Sequence, residues 1–170
     1  MFRSRYAALL LVLFFVSSLP GFGTSIRKYT LEEQAGQAEG IYLGRVLEQK
    51  SYWNEEGTLI LTDYTIAVRT TIAGAARSRL VITEVGGEVG DIGLMIPGAA
   101  SYSVGEEAVI FTHREAGRLM TLHFEQGRYK VDTIPRGRQE PQRFVTDPLS
   151  NLPVDLDSFV DRIRRARVSP

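Results

Sequence analysis

The sequence predicts a mainly β domain, an antiparallel sandwich or barrel, with a short helix before it and an amphipathic helix after it. Three observations carry that expectation. Short apolar-alternating runs recur with glycine turns between them, the pattern of antiparallel strands and not of alternating βαβ units. Residues 80–111 open and close on strand-like runs, Leu80 to Val85 and Ala108 to Phe111, with Gly86, Gly87, Gly90, Gly93, Gly98 and Gly105 between them. That is too much glycine for a helix interior, and in a β protein it marks a bulged or sharply bent connection. Helical periodicity, finally, is confined to the two flanks of the strands.

The first residues predict export. Arg3 and Arg5 precede an apolar run from Tyr6 to Val16, and small residues at Gly21 and Gly23 close it, the order of a secretory signal. The run is well short of the roughly twenty residues that a membrane span needs. Residues 1–23 are therefore expected to be a signal peptide. The exported chain would begin close to Thr24, in the periplasm or the medium of a bacterium, with no membrane attachment after cleavage. What remains fits one domain by size and is large enough to fold without staples. It contains no cysteine, so it has neither a disulfide nor a thiolate metal site, in a compartment that permits disulfides. Lysines and arginines total 20 against 20 acids, and losing Arg3 and Arg5 leaves the exported chain slightly acidic. That balance suggests neither a nucleic-acid partner nor an anionic membrane surface.

Within residues 24–134 the β domain is laid out in order. Thr30 with Glu33 forms a capping-box pattern, and Leu31, Ala35 and Ala38 share a face, which predicts a short helix ending near Gly40. Ile41 to Trp53 and Thr58 to Ile72 read as a long hairpin turning at residues 54–57. Its alternation slips at Thr62 and Asp63, where a bulge is expected. The glycine-rich stretch has its own apolar piece, Leu94 to Ile96. Beyond it, Ala108 to Phe111, Leu119 to Phe124, and the alternating Tyr129, Val131 and Ile134 predict three further strands. Pro135, Pro141, Pro148 and Pro153 argue against a helix or central strand in residues 135–154, predicting an extended strap pinned by Phe144 and Val145. Residues 155–170 hold a final helix with Leu156, Phe159, Val160 and Ile163 on one face, its acids first and its arginines last along the dipole.

The chemistry-bearing residues are sparse. Gly87, Gly90 and Gly93 do not follow the G-x-G-x-x-G order and no Gly-Lys-Ser/Thr is present, so Gly86, Gly87, Gly90 and Gly93 predict a shaped structural connection and not a nucleotide cradle. Glu84, Glu88 and Asp91 match neither the EF-hand nor the nonapeptide calcium pattern and read as solvated loop acids. His113 and His123 stand near the two ends of a predicted hairpin. Two ligands fall short of the three or four that zinc takes, and both read as surface histidines. No G-x-S-x-G elbow is present, and no pair of acids stands out for hydrolysis. The pattern therefore names no catalytic residue, no cofactor and no metal. Arg128, Lys130, Arg136, Arg138 and Arg143 read as a solvated basic face. Tyr52 and Trp53, near the hairpin tip, leave two readings open: an exposed aromatic contact for a partner, or a plug for the end of the barrel.

The order of helix, long hairpin, Gly-Gly-Glu-Val-Gly-Asp-Ile-Gly (residues 86–93), Pro-Gly (97–98) and Val-Gly-Glu-Glu-Ala-Val-Ile-Phe (104–111) resembles a set of uncharacterised exported bacterial proteins over most of residues 30–134. More distantly, it is similar to the netrin-like OB barrel of tissue inhibitors of metalloproteinases, at Ala38 to Val46, Thr58 to Ile72 and Val104 to Phe111. That resemblance implies an antiparallel OB-like (netrin/TIMP-like) barrel. It does not carry the inhibitory mechanism, because those inhibitors chelate the protease zinc through an N-terminal cysteine and this chain has none. The expectation is an exported, non-enzymatic module that binds another protein, a secreted protease among the candidates, through loops at one barrel end. The alternatives are an exported hydrolase with a carboxylate site, favoured by acids in a deep pocket, and a structural accessory of the cell envelope.

Overall fold

The structure, a computed structural model, describes residues 27–137, 139–146 and 152–168; the expected signal peptide lies outside them. It is mainly antiparallel β with two helices. Helix α1 (Leu31–Gln37) begins with the capping box: Glu33 N–H donates to Thr30 Oγ1 (3.1 Å), and Thr30 N–H donates to Glu33 Oε2 (2.9 Å). Strands β1 (Gly40–Trp53) and β2 (Ile60–Ala73) form the long hairpin. Its turn is organised by Asn54, whose Oδ1 accepts from Thr58 N–H (2.8 Å) and Leu59 N–H (2.9 Å). β3 (Arg79–Val85) pairs with β2, and β6 (Glu107–Glu115) pairs with the other edge of β1.

The glycine-rich stretch contains a small hairpin of its own, β4 (Gly87–Val89) and β5 (Ile92–Leu94). Gly90 has φ +60° at the first central position of its two-residue turn, where a type II′ geometry calls for glycine. The outer edge of β6 carries β8 (Arg128–Arg136) opposite Ala108–Ile110 and β7 (Arg118–Thr121) opposite Thr112–Glu115. Beyond β8 follow β9 (Gln139–Thr146) and β10 (Pro153–Asp155), giving the order β10-β9-β8-β6-β1-β2-β3. The sheet curls into a half-barrel until β7 meets β3 across a seam that has no strand ladder.

Period-2 alternation makes both faces apolar. Ile41, Leu43, Val109, Phe111, Tyr129 and Val131 face outward onto α1 and the C-terminal helix α2 (Leu156–Val168). Tyr42, Val46, Tyr64, Ile66, Ile82 and Ile110 face into the curl, where Ala100 and Tyr102 cover them. α2 docks through Leu156, Phe159, Val160 and Ile163, all buried. Asp155 caps it by accepting Ser158 N–H (3.0 Å). Arg162 pairs with Glu32 of α1 (2.8 Å), and Arg167 donates to the carbonyls of Ala35 (3.0 Å) and Ala38 (2.9 Å) at the end of that helix.

Four expectations need correction. The slip at Thr62 and Asp63 is not a bulge: Ile60, Thr62, Tyr64 and Ile66 keep the inward parity, and Thr62 is simply a polar residue on it. Its hydroxyl is satisfied by Gly86 O (2.6 Å) and Ser51 Oγ (2.8 Å). The register shifts of the β1–β2 pair lie elsewhere, opposite Ile41/Tyr42 and Leu43/Gly44, where β2 has the extra residues Ile72 and Arg69, and between Val46 and Glu48, where β1 has the extra Leu47. The strand expected over Leu119 to Phe124 stops at Thr121, and a 3-10 turn (Phe124–Gly127) follows. Ile134 falls on the opposite face from Tyr129 and Val131 and is half-exposed. The described residues of 135–154, finally, form paired strands and not a strap along the surface. β8 runs through Pro135, and β9 is paired on both sides. The prolines are tolerated because Pro135 and Pro141 fall at the register shift between Ile134 and Arg136, while Pro153 opens a three-residue edge strand. Val145 is fully buried as a pin, Phe144 only partly. Pro148 and Arg138 lie outside the described residues.

Candidate functional site

The site that the chain assembles is the β3–β7 seam. Leu122 N–H donates to Phe111 O (2.8 Å), so the N–H of the preceding residue, Thr121, points away from β6 and toward β3. Among the described residues no strand carbonyl accepts it there. Glu84 does: its Oε1 accepts Thr121 N–H at 2.8 Å. Thr121 Oγ1 lies 2.5 Å from the hydroxyl of Tyr102, which is buried against Tyr64. Glu84 shares the inward parity of Leu80 and Ile82 and is only 4% exposed. Reading it as a solvated loop acid is therefore wrong. The signal that could have found it was in the sequence, an acid at the third inward position of an apolar strand.

Burial pushes the Glu84 carboxyl up to about 7, and the bonds from Thr121 offset that only in part. In the window between its ordinary value of 4.5 and about 7, the folded protein holds a proton that the unfolded chain has released. Stability is thus expected to fall as pH rises through that window, by about 3 kcal/mol at most, and to level off above it. His123, held below its ordinary value of 6.5 by burial, acts in the opposite direction as pH rises toward that value. Urea unfolding of wild type and Glu84→Gln at several pH values checks this: the difference between the two should carry the slope, and parallel curves would refute it.

Beside Glu84 lies a cavity of about 440 Å³ lined also by Ile96, His113, Met120, His123 and Phe124. It adjoins a second, beneath the glycine hairpin, of about 570 Å³. The two histidines are not surface residues. Each is partly buried, and each has a buried Nδ1 with no partner among the described residues. His123 adopts φ +54° and Phe124 φ +59°, left-handed conformations that cost non-glycine residues about 1–3 kcal/mol each and concentrate at functional sites. Tyr29 stacks flat on His123, centroids 3.4 Å apart. Gln126 ties that chain segment down, accepting Tyr29 N–H (3.1 Å) and donating to Arg27 O (3.0 Å). Glu125 N–H donates to Gly98 O (3.0 Å), joining the 3-10 turn to the loop after β5. Met95, on the second cavity, is 89% exposed, and Phe124, on the first, is 63% exposed.

Of the predicted glycines, Gly87 is the one whose place demands the absence of a side chain. It has φ +126°, and a Cβ there would run into Thr62 Oγ1 and stand 2.6 Å from Ser51 Oγ. Gly86 also has a positive φ, Gly90 serves the turn in open space, and Gly93 is in ordinary contact only. Tyr52 and Trp53 do not form one patch, because neighbours in a strand face opposite ways. Tyr52 is partly buried and donates its hydroxyl to Asp63 Oδ1 (3.1 Å); Trp53 is exposed. Arg128 and Arg143 pair with Glu106 and Glu107, both at 2.6 Å, so the basic stretch is largely neutralised there. Among the described residues no group of three or more histidines and acids could hold a metal ion, and no helix is long and apolar enough to cross a membrane. No family model, curated protein or solved structure matches this chain.

Proposed function

We propose that the chain is an exported, non-enzymatic module that binds another protein through the open end of an OB-like barrel. The circuit β1-β2-β3-β7-β6 and back to β1 supports the OB-like reading: five strands joined everywhere except at the β3–β7 seam, as in a partly open five-stranded barrel. The netrin-like resemblance adds a secreted protease as one class of partner. The observation that carries the binding reading is Phe124. Its backbone is strained and its ring is turned to solvent, and the adjoining cavity carries a second exposed apolar side chain, Met95. A fold has no use for that combination, whereas exposed apolar anchors around a cavity are what partner surfaces present.

Phe124→Gly separates the two roles. Glycine takes φ +59° without strain and little burial is lost, so stability is expected to hold or rise by about 1 kcal/mol. Capture of the partner from culture medium or periplasm by the immobilised protein should meanwhile drop sharply. Trp53→Ala, which leaves Tyr52 and its bond to Asp63 in place, tests the hairpin tip in the same assay. Undiminished capture by Phe124→Gly would move the contact away from the seam.

A further inference from the structure

The two cavities meet at Glu84, Val85, Ile96 and Ala99, making one crevice with apolar walls. Its ionisable lining is Glu84, Glu88, Glu115, Tyr64, His113 and His123, with no lysine or arginine. An anion would find no counter-charge there. Glu84 has Thr121 N–H on one oxygen and no cation against it. His113 Nε2 lies 3.5 Å from Glu115 Oε2, which favours the proton on that nitrogen and makes the buried, orphaned Nδ1 an acceptor. The crevice therefore presents acceptors and a buried acid on greasy walls, and it lacks a positively charged donor.

We propose that this crevice binds a primary alkylammonium group, with the ammonium at Glu84 and the alkyl chain along Ile96, Met120 and Phe124. An ammonium brings three donors and a point charge on an apolar stem. A buried ion is tolerated only when paired, and Glu84 supplies that pairing at a depth where water does not screen it. The groups around Glu84 are Tyr64 from β2, Tyr102 from the covering loop, Thr121 from β7, His123 just after it, His113 and Glu115 from β6, and Glu88 from the small hairpin. None of them is a lysine or an arginine. Because burial holds the Glu84 carboxyl near 7, the ligand must displace a proton below that pH. Affinity is then expected to fall about tenfold from pH 8 to pH 6. This site does not depend on the protein-binding reading, since a small amine would bind whether or not Phe124 contacts a partner.

Amide NMR titrations of the purified protein with n-pentylammonium and with 1-pentanol, at pH 8 and pH 6, test the proposal. Saturable shifts at Val85, Thr121 and Phe124 are expected with the ammonium, about tenfold weaker binding at pH 6, and binding of the alcohol weaker by about tenfold or more at pH 8. Equal affinity for the alcohol, a flat pH dependence, or no saturable shift would overturn it. Glu84→Gln keeps an acceptor for Thr121 N–H and should erase the preference for the ammonium. Should that variant fail to fold, the wild-type comparison of amine with alcohol across pH decides alone. Two further ligands separate the sources of such a group. Tighter binding of Nα-acetyl-lysine N-methylamide points to a lysine side chain of a protein, and tighter binding of pentane-1,5-diamine points to a free amine.

Discussion

Phe159→Ala is expected to cost about 3–5 kcal/mol and to lower the melting temperature by about 10 °C. Phe159 is 3% exposed, and its ring lies 4.7 Å from that of Tyr129, which in turn stands 5.4 Å from Phe111. Those three rings join α2 to the sheet, and the Tyr129 hydroxyl accepts from Gln34 of α1 (3.1 Å). Removing the helix end of that stack leaves a void between α2 and the sheet, neither of which can close it without losing its own contacts. Thermal unfolding followed by circular dichroism reads the effect. An unchanged midpoint, or unchanged stability after deletion from Asp155 onward, would mean that α2 is no part of the core.

Gly87→Val should cost about 4 kcal/mol, and Gly90→Val only about 1–2 kcal/mol. Both positions have positive φ, so both substitutions meet backbone strain. Only at Gly87 does the new side chain also collide, with Thr62 and Ser51, whose hydroxyls hydrogen-bond to each other while that of Thr62 donates to Gly86 O. A valine there must break that network or lift the small hairpin from β1 and β2. Gly90 faces open space. Urea midpoints of the two variants, compared with wild type, measure the difference. Equal losses would show that strain alone matters, and no loss at Gly87 would remove the hairpin from the structural core.

By itself, the sequence determined what local chemistry determines. Thr30 and Glu33 announce a helix start because a capping box is complete within four residues. Leu156, Phe159, Val160 and Ile163 announce a helix face because 3.6-residue periodicity needs no distant partner. The antiparallel β character and the long hairpin were legible from alternation and turn residues in the same way. Tertiary structure decided the remainder. Thr62 looked like a slip because a polar residue on the inward face is indistinguishable from a phase change until Ser51 and Gly86 are seen to satisfy its hydroxyl. Pro135, Pro141 and Pro153 spoke against a strand because the sequence does not show that they fall at a register shift and an edge. His123 and Phe124 continued the apolar alternation of Leu119 to Leu122, yet the chain turns left-handed there to meet Gly98 and Tyr29. Glu84 became a candidate for function only when curling of the sheet set it against an amide 37 residues away. A carboxyl's character depends on what water it keeps, and burial is a property of the whole fold.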